Sequence, residues 1–125
     1  MLLIALIGTG GFLGAIMRYL VEGRIQDLLR NPSFPYGTLG VNIIGCLLIG
    51  LLAGLAESRQ LFGAEARGFL LVGLLGGFTT FSTFSYETLA LARDGQAIAA
   101  LANVSLQVVL GLAAVWAGYG ASQLA

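Results

Sequence analysis

The chain has 125 residues, 58% of them hydrophobic and 10% charged, with six arginines, six acids, no lysine and no histidine, and a net charge of zero. A soluble domain carries roughly 25% charged residues, so this composition cannot coat a water-facing surface and reads as that of a membrane protein. Without a basic excess there is no nucleic-acid partner, and without histidine there is no nucleophile–base pair or metal-ligand cluster from which to build an enzyme.

Setting the charged positions aside leaves four uncharged runs, residues 1–17, 31–56, 68–86 and 95–125. Each is near or above the roughly 17–25 residues that span a bilayer core as a helix. The expected fold is therefore all-α, one unit over 1–125 with transmembrane helices at about 2–21, 36–56, 67–93 and 96–124. The first run lacks a basic leader and ends in Arg18-Tyr19 rather than a small-residue cleavage site, so it reads as a retained helix. Pro32 and Pro35 close the linker that follows, and Glu57-Ser58-Arg59 with Glu65-Ala66-Arg67 mark the next surface loop. Cys46, alone inside the second run, reads as a small packing residue.

Arg24, Arg30 and Arg93 fall on one side, with Arg18 at a helix end, and Arg59 and Arg67 on the other. So weak a bias leaves two readings open: one orientation set by the first loop, or insertion both ways with opposite copies paired about a two-fold axis in the membrane plane. Gly10/Gly14, Gly50/Gly54 and Gly73/Gly77 are spaced for close helix contact, more seams than four short helices are expected to satisfy without an oligomer. The string Gly8-Thr9-Gly10-Gly11-Phe12-Leu13-Gly14 superficially matches a dinucleotide-binding turn. That turn needs a βαβ unit with an acid at a strand end, whereas Asp27 sits in the linker and apolar spans follow, so helix packing is the better reading.

The segment 73–87 carries the most chemistry. Gly76-Gly77 followed by Thr79-Thr80 at mid-membrane depth is expected to release the backbone from its helical bonds. Free carbonyls there cost several kcal/mol unless protein, water or an ion takes them up, and hard cations such as Na+ are bound by such oxygens. Beyond the break, Phe81 and Phe84 share a helical face, alternating with the hydroxyls of Ser82, Thr83 and Ser85. Ring edges are electropositive and contact a small anion without a fixed charge that would hold it too tightly to leave. The competing reading is an aromatic face against lipid, with serines and threonines joining helices. Two further polar lines stand at i, i+4: Thr38 with Asn42, whose amide is a neutral anion donor, and Asn103 with Gln107. Arg18 and Glu87 near helix ends either flank aqueous vestibules or snorkel to the interface.

The strings Gly11-Phe12-Leu13-Gly14-Ala15-Ile16-Met17-Arg18-Tyr19, Tyr36-Gly37-Thr38-Leu39-Gly40-Val41-Asn42 and 76–87, in that order, closely resemble the CrcB/Fluc fluoride channels over essentially the whole chain. The resemblance implies an antiparallel, dual-topology homodimer with two fluoride pores in the inner or plasma membrane of a bacterium or archaeon. It implies a central, structural sodium ion on backbone carbonyls of Gly76 and Thr79. It matches Phe81, Phe84 and Asn42 to the pore, Ser82 and Thr83 to the hydroxyls beside them, and Arg18 to the vestibule. Asn103 and Gln107 depart from the family pattern, standing where many members have Tyr and Ser.

The expected function is thus passive, fluoride-selective export that limits fluoride toxicity. The runner-up, a proton-coupled transporter of the small-multidrug-resistance type, needs a membrane-embedded carboxylate, and the first helix has none before Glu22 at its expected end. A non-transporting accessory subunit would not require the polar lines through helices 2, 3 and 4.

Overall fold

The computed structural model describes residues 1–31 and 33–125 and is all-helical. Among them, four helical spans are long and apolar enough to cross a membrane: Leu2–Leu29, Tyr36–Arg59, Ala64–Arg93 and Ala97–Leu124. The chain is a multi-pass membrane protein.

The first helix, α1 (Leu2–Leu29), runs two turns beyond the expected end. At 1.5 Å per residue its 28 residues reach about 42 Å, past a hydrocarbon core of about 30 Å, so the charged residues after Val21 ride on helical turns outside the core or on a tilted rod. Glu22, expected at the helix end, therefore lies inside α1. The helix stops where Arg30 turns left-handed at φ 49°, and Gln26 ties down the turn beyond it. Its Nε2 donates to the carbonyls of Asn31 at 2.6 Å and Phe34 at 2.9 Å, while its Oε1 accepts from the Gly37 amide at 3.0 Å. Pro32, the first of the two prolines expected to close this linker, lies outside the described residues. Helix α2 (Tyr36–Arg59) starts directly after Pro35, as expected, and ends one turn late with Gln60 left-handed at φ 50°.

The third span is composite. Helix α3 covers residues 64–78, with α-helical Ala64–Arg67, a wider π-helical run Gly68–Leu75, and a last α-turn Gly76–Phe78. Thr79 (φ −86°, ψ 158°) and Thr80 (φ −150°, ψ 115°) are extended, and α4 (Phe81–Arg93) follows. The non-helical pair is therefore Thr79-Thr80, whereas Gly76-Gly77, where the release was expected, stays helical. Packing explains the difference. A Cβ on Gly77 would stand 2.6 Å from the Gly11 carbonyl, so this glycine keeps α3 against α1. The threonines are β-branched and favour extended backbone, and Thr80 caps α4 by accepting from the Thr83 amide at 3.3 Å. Helix α5 (Ala97–Leu124) completes the chain.

All three glycine pairs are consumed inside the chain. Gly10 and Gly14 of α1 abut the backbone of Phe69 and Leu74, Gly73 and Gly77 abut Ile7 and Gly11 in return, and Gly50 and Gly54 of α2 meet Val115 and Ser122 of α5. The expectation that these seams demand an oligomer is thereby corrected, because two tight internal contacts, α1–α3 and α2–α5, absorb them. The break lets one span serve both: α3 lies on α1, and α4 leaves it to dock on α5.

Candidate functional site

At the break the side chain of Asn42 imitates a neighbouring strand. Its Oδ1 accepts from the Thr80 amide at 2.9 Å and its Nδ2 donates to the Thr80 carbonyl at 3.0 Å. The second Nδ2 proton goes to Oε1 of Gln107 on α5, also at 3.0 Å. Both donors of the Asn42 amide are thus occupied by the chain itself. The contact also fixes which way Gln107 points: its oxygen faces Asn42, leaving Nε2 sealed in the protein with no partner among the described residues.

These groups border a cavity of about 360 Å³ whose wall includes Asn42, Thr79, Thr80, Phe81, Phe84 and Gln107. The two rings meet nearly edge to face, with centroids 5.4 Å apart and planes at 66°. Phe84 is 8% exposed, but Phe81 is 78% exposed and borders the open side. Thr83 and Ser82 gather on the capping hydroxyl of Thr80, Thr83 Oγ1 at 3.0 Å and Ser82 Oγ at 3.5 Å.

Carbonyls leave the helical ladder here. The Thr80 amide, which would reach the Gly76 carbonyl in a continuous helix, is turned to Asn42 instead. The Gly77 carbonyl receives Nε of Arg18 at 3.2 Å. Arg18 thus serves the break rather than standing free at a helix end, and it is half-buried. Gly76 and Thr79 both line the cavity, and their neutral carbonyl oxygens are donors of the type a hard monovalent cation takes. Those residues fit such an ion.

A second polar cluster lies one turn up α2. Thr38 is 1% exposed, and its hydroxyl stands 2.8 Å from Oε1 of Glu87 and 3.3 Å from Oε1 of Glu22. One proton serves only one of them, and the shorter distance assigns it to Glu87. Both carboxylates face a larger cavity of about 800 Å³, which Asp27 and Asp94 also line. Glu87 and Arg18, grouped by sequence as vestibule residues, therefore belong to different neighbourhoods. Asn103 departs further: it is fully buried between α4 and α5, bonded to Thr88 at 3.0 Å, and does not line the 360 Å³ cavity.

Sequence reasoning missed Glu22, Gln26, Thr88 and the backbone of Thr80. Only the i, i+4 polar spacings pointed their way. Asn103 and Gln107 do fall on one face of α5, yet they bond to different helices.

A family model described as "CrcB-like protein, Camphor Resistance (CrcB)" matches residues 5–119. The chain is 46% identical over 121 residues to a protein of Elusimicrobium minutum named "Fluoride-specific ion channel FluC", covering 95% of this chain and 92% of that one. It is 46% identical over 117 residues to a protein of the same name from Geobacter sulfurreducens, covering 94% of each. A "Fluoride-specific ion channel FluC 1" from the archaeon Methanosarcina acetivorans is 44% identical over 115 residues, 92% of this chain and 86% of the relative. With the family model spanning nearly all of it and relatives aligned almost end to end, the chain belongs to the CrcB-like family of membrane proteins.

Proposed function

We propose that the chain is a subunit of a fluoride-selective channel, not an enzyme, that lets cytoplasmic fluoride leave across the inner membrane and so limits its toxicity. The observation that carries this reading is the cavity at the break, lined by Phe81 and Phe84 together with Asn42, Thr79, Thr80 and Gln107, with no charged residue on its wall. Ring edges and hydroxyls hold a small anion weakly enough to release it while repaying its lost water, and a path sized for fluoride excludes larger anions such as chloride. Ser82 and Thr83 lie beside the rings as further hydroxyl donors, with Thr38 on the approach past Glu87.

The exposed face of Phe81 leaves the cavity unfinished within one chain. We read the missing wall as a second copy in antiparallel orientation, in keeping with the weak arginine bias, which makes two equivalent pores per dimer. Carbonyls of Gly76 and Thr79 from both copies would hold a structural sodium ion at the centre, where it neutralises backbone dipoles and is not transported. A membrane potential negative inside drives the anion outward by about 2.3 kcal/mol per charge per 100 mV, so no other energy source is needed.

The test is efflux from liposomes reconstituted with purified protein under a K+/valinomycin potential, fluoride against chloride. Rapid electrogenic fluoride efflux without chloride efflux is expected. No fluoride efflux from a well-folded protein in sodium would overturn the channel reading and favour an accessory subunit.

A further inference from the structure

Asn103 presents a puzzle that the pore does not explain. It is fully buried, its Oδ1 has no partner among the described residues, and it lies away from the cavity. A leucine of the same branched shape would face α4 without that unsatisfied oxygen. What the amide supplies is direction. Its Nδ2 donates to the Thr88 hydroxyl at 3.0 Å, and that hydroxyl donates to the carbonyl of Phe84 at 2.8 Å. Among the described residues this is the one side-chain hydrogen bond that joins α4 to α5.

Helix α4 needs such a tie because the break at Thr79-Thr80 frees it from α3, and apolar neighbours such as Leu91 and Ala100 set separation without setting register. Gln107, one turn from Asn103 on the same face of α5, holds the other end through Asn42 and Thr80. Two amides at i, i+4 on α5 thus grip α4 on either side of its first turn, which carries Phe81 and Phe84.

Resting on the channel reading above, we infer that Asn103, acting through Thr88, is a positioning residue that sets the rotation of Phe84, and that it is not an anion ligand. Thr88→Val removes the link while keeping shape, Thr88→Ser restores the hydroxyl, and Asn103→Leu removes the other partner. Each of Thr88→Val and Asn103→Leu is expected to lower fluoride efflux about fivefold, the weight of one neutral hydrogen bond. The double variant should be no slower than either single one, and Thr88→Ser should recover most of the rate.

Multiplying effects, near 25-fold in the double variant, or an unchanged rate in Thr88→Val, would overturn the inference. Its independent readout is the ¹⁹F resonance of 4-fluorophenylalanine placed at position 84. Thr88→Val should shift or broaden that signal and Thr88→Ser should not, while an unmoved signal in Thr88→Val overturns the inference. This readout holds whether or not the protein conducts. A wild-type protein that passes no fluoride, together with a shifted signal in Thr88→Val, would sink the channel reading and leave the positioning role standing.

Discussion

Replacing Asn42 with leucine puts the break itself under load. The substitution deletes three hydrogen bonds together, two to the Thr80 backbone and one to Gln107. Interhelical hydrogen bonds inside membranes average about 0.6 kcal/mol, and buried ones in soluble proteins about 1 kcal/mol, which brackets the loss at about 2–3 kcal/mol. The upper end applies here. The Thr80 amide and carbonyl regain partners only by closing the break into a continuous helix, which would carry Phe81 and Phe84 out of their present places. A loss of about 3 kcal/mol lowers the weight of the broken conformer by roughly 150-fold. Thermal melting in detergent and fluoride efflux from liposomes should fall together. Gln107→Leu, which removes one bond of the three, should cost about a third as much in stability. An Asn42→Leu protein that melts and conducts like the wild type would refute the account of the break as held open by this amide.

Phe81→Ile and Phe84→Ile should assemble normally, by size-exclusion chromatography, yet lower fluoride flux by on the order of tenfold, one lost contact of about 1.4 kcal/mol; unchanged flux in both would remove the ring-edge mechanism. Gly14→Val drives carbon into the Leu74 carbonyl and to 3.0 Å from the Phe78 amide, all backbone with no room to yield, so a cost of about 3 kcal/mol and loss of monodisperse protein are expected. Gly8→Val, with nothing within 4 Å of the added Cβ, is the control and should be silent. Gln26→Ala removes three hydrogen bonds from the α1–α2 turn and should lower the melting temperature by an amount matching about 2 kcal/mol, without altering fluoride-over-chloride selectivity. Exchange of sodium for N-methylglucamine should lower the melting temperature, and titrating sodium back should restore it in a saturable way; a melting curve indifferent to sodium argues against the carbonyl site.

The four spans were legible in the sequence because lipid imposes a length and a polarity on every crossing helix, and the charged positions mark where that demand ends. Helix ends were less legible. Glu22, Arg24 and Asp27 look like loop residues by charge, yet helical turns persist outside the hydrocarbon core until Arg30 turns left-handed. The sequence points to Gly76-Gly77 for the interruption of the third span, a pair that frees a chain in isolation, but both stay helical and Gly77 is spent on the approach of Gly11 on α1. The pair that is extended is Thr79-Thr80, and the decisive partner, Asn42, is 38 residues away. No local rule contains that distance. The same holds for Asn103 and Gln107: their spacing puts them on one face of α5, but whether that face meets a pore or a neighbouring helix is settled by packing.

The open side of the cavity links these details to the proposed assembly. Tight glycine contacts bind α1 to α3 and α2 to α5, so each half of the chain is internally sealed and neither seam remains to recruit a partner. What remains at the surface near the break is Phe81, at 78% exposure beside a polar wall of Asn42, Thr80 and Gln107. Lipid tails meet the ring but offer nothing to the polar residues that line the cavity, whereas a surface carrying its own rings and hydroxyls can answer both. A second copy of this chain carries that surface. The pairing force in the proposed dimer is then polar and aromatic complementarity around the break, with the carbonyls of Gly76 and Thr79 brought to a common centre, rather than the glycine seams that the sequence advertises.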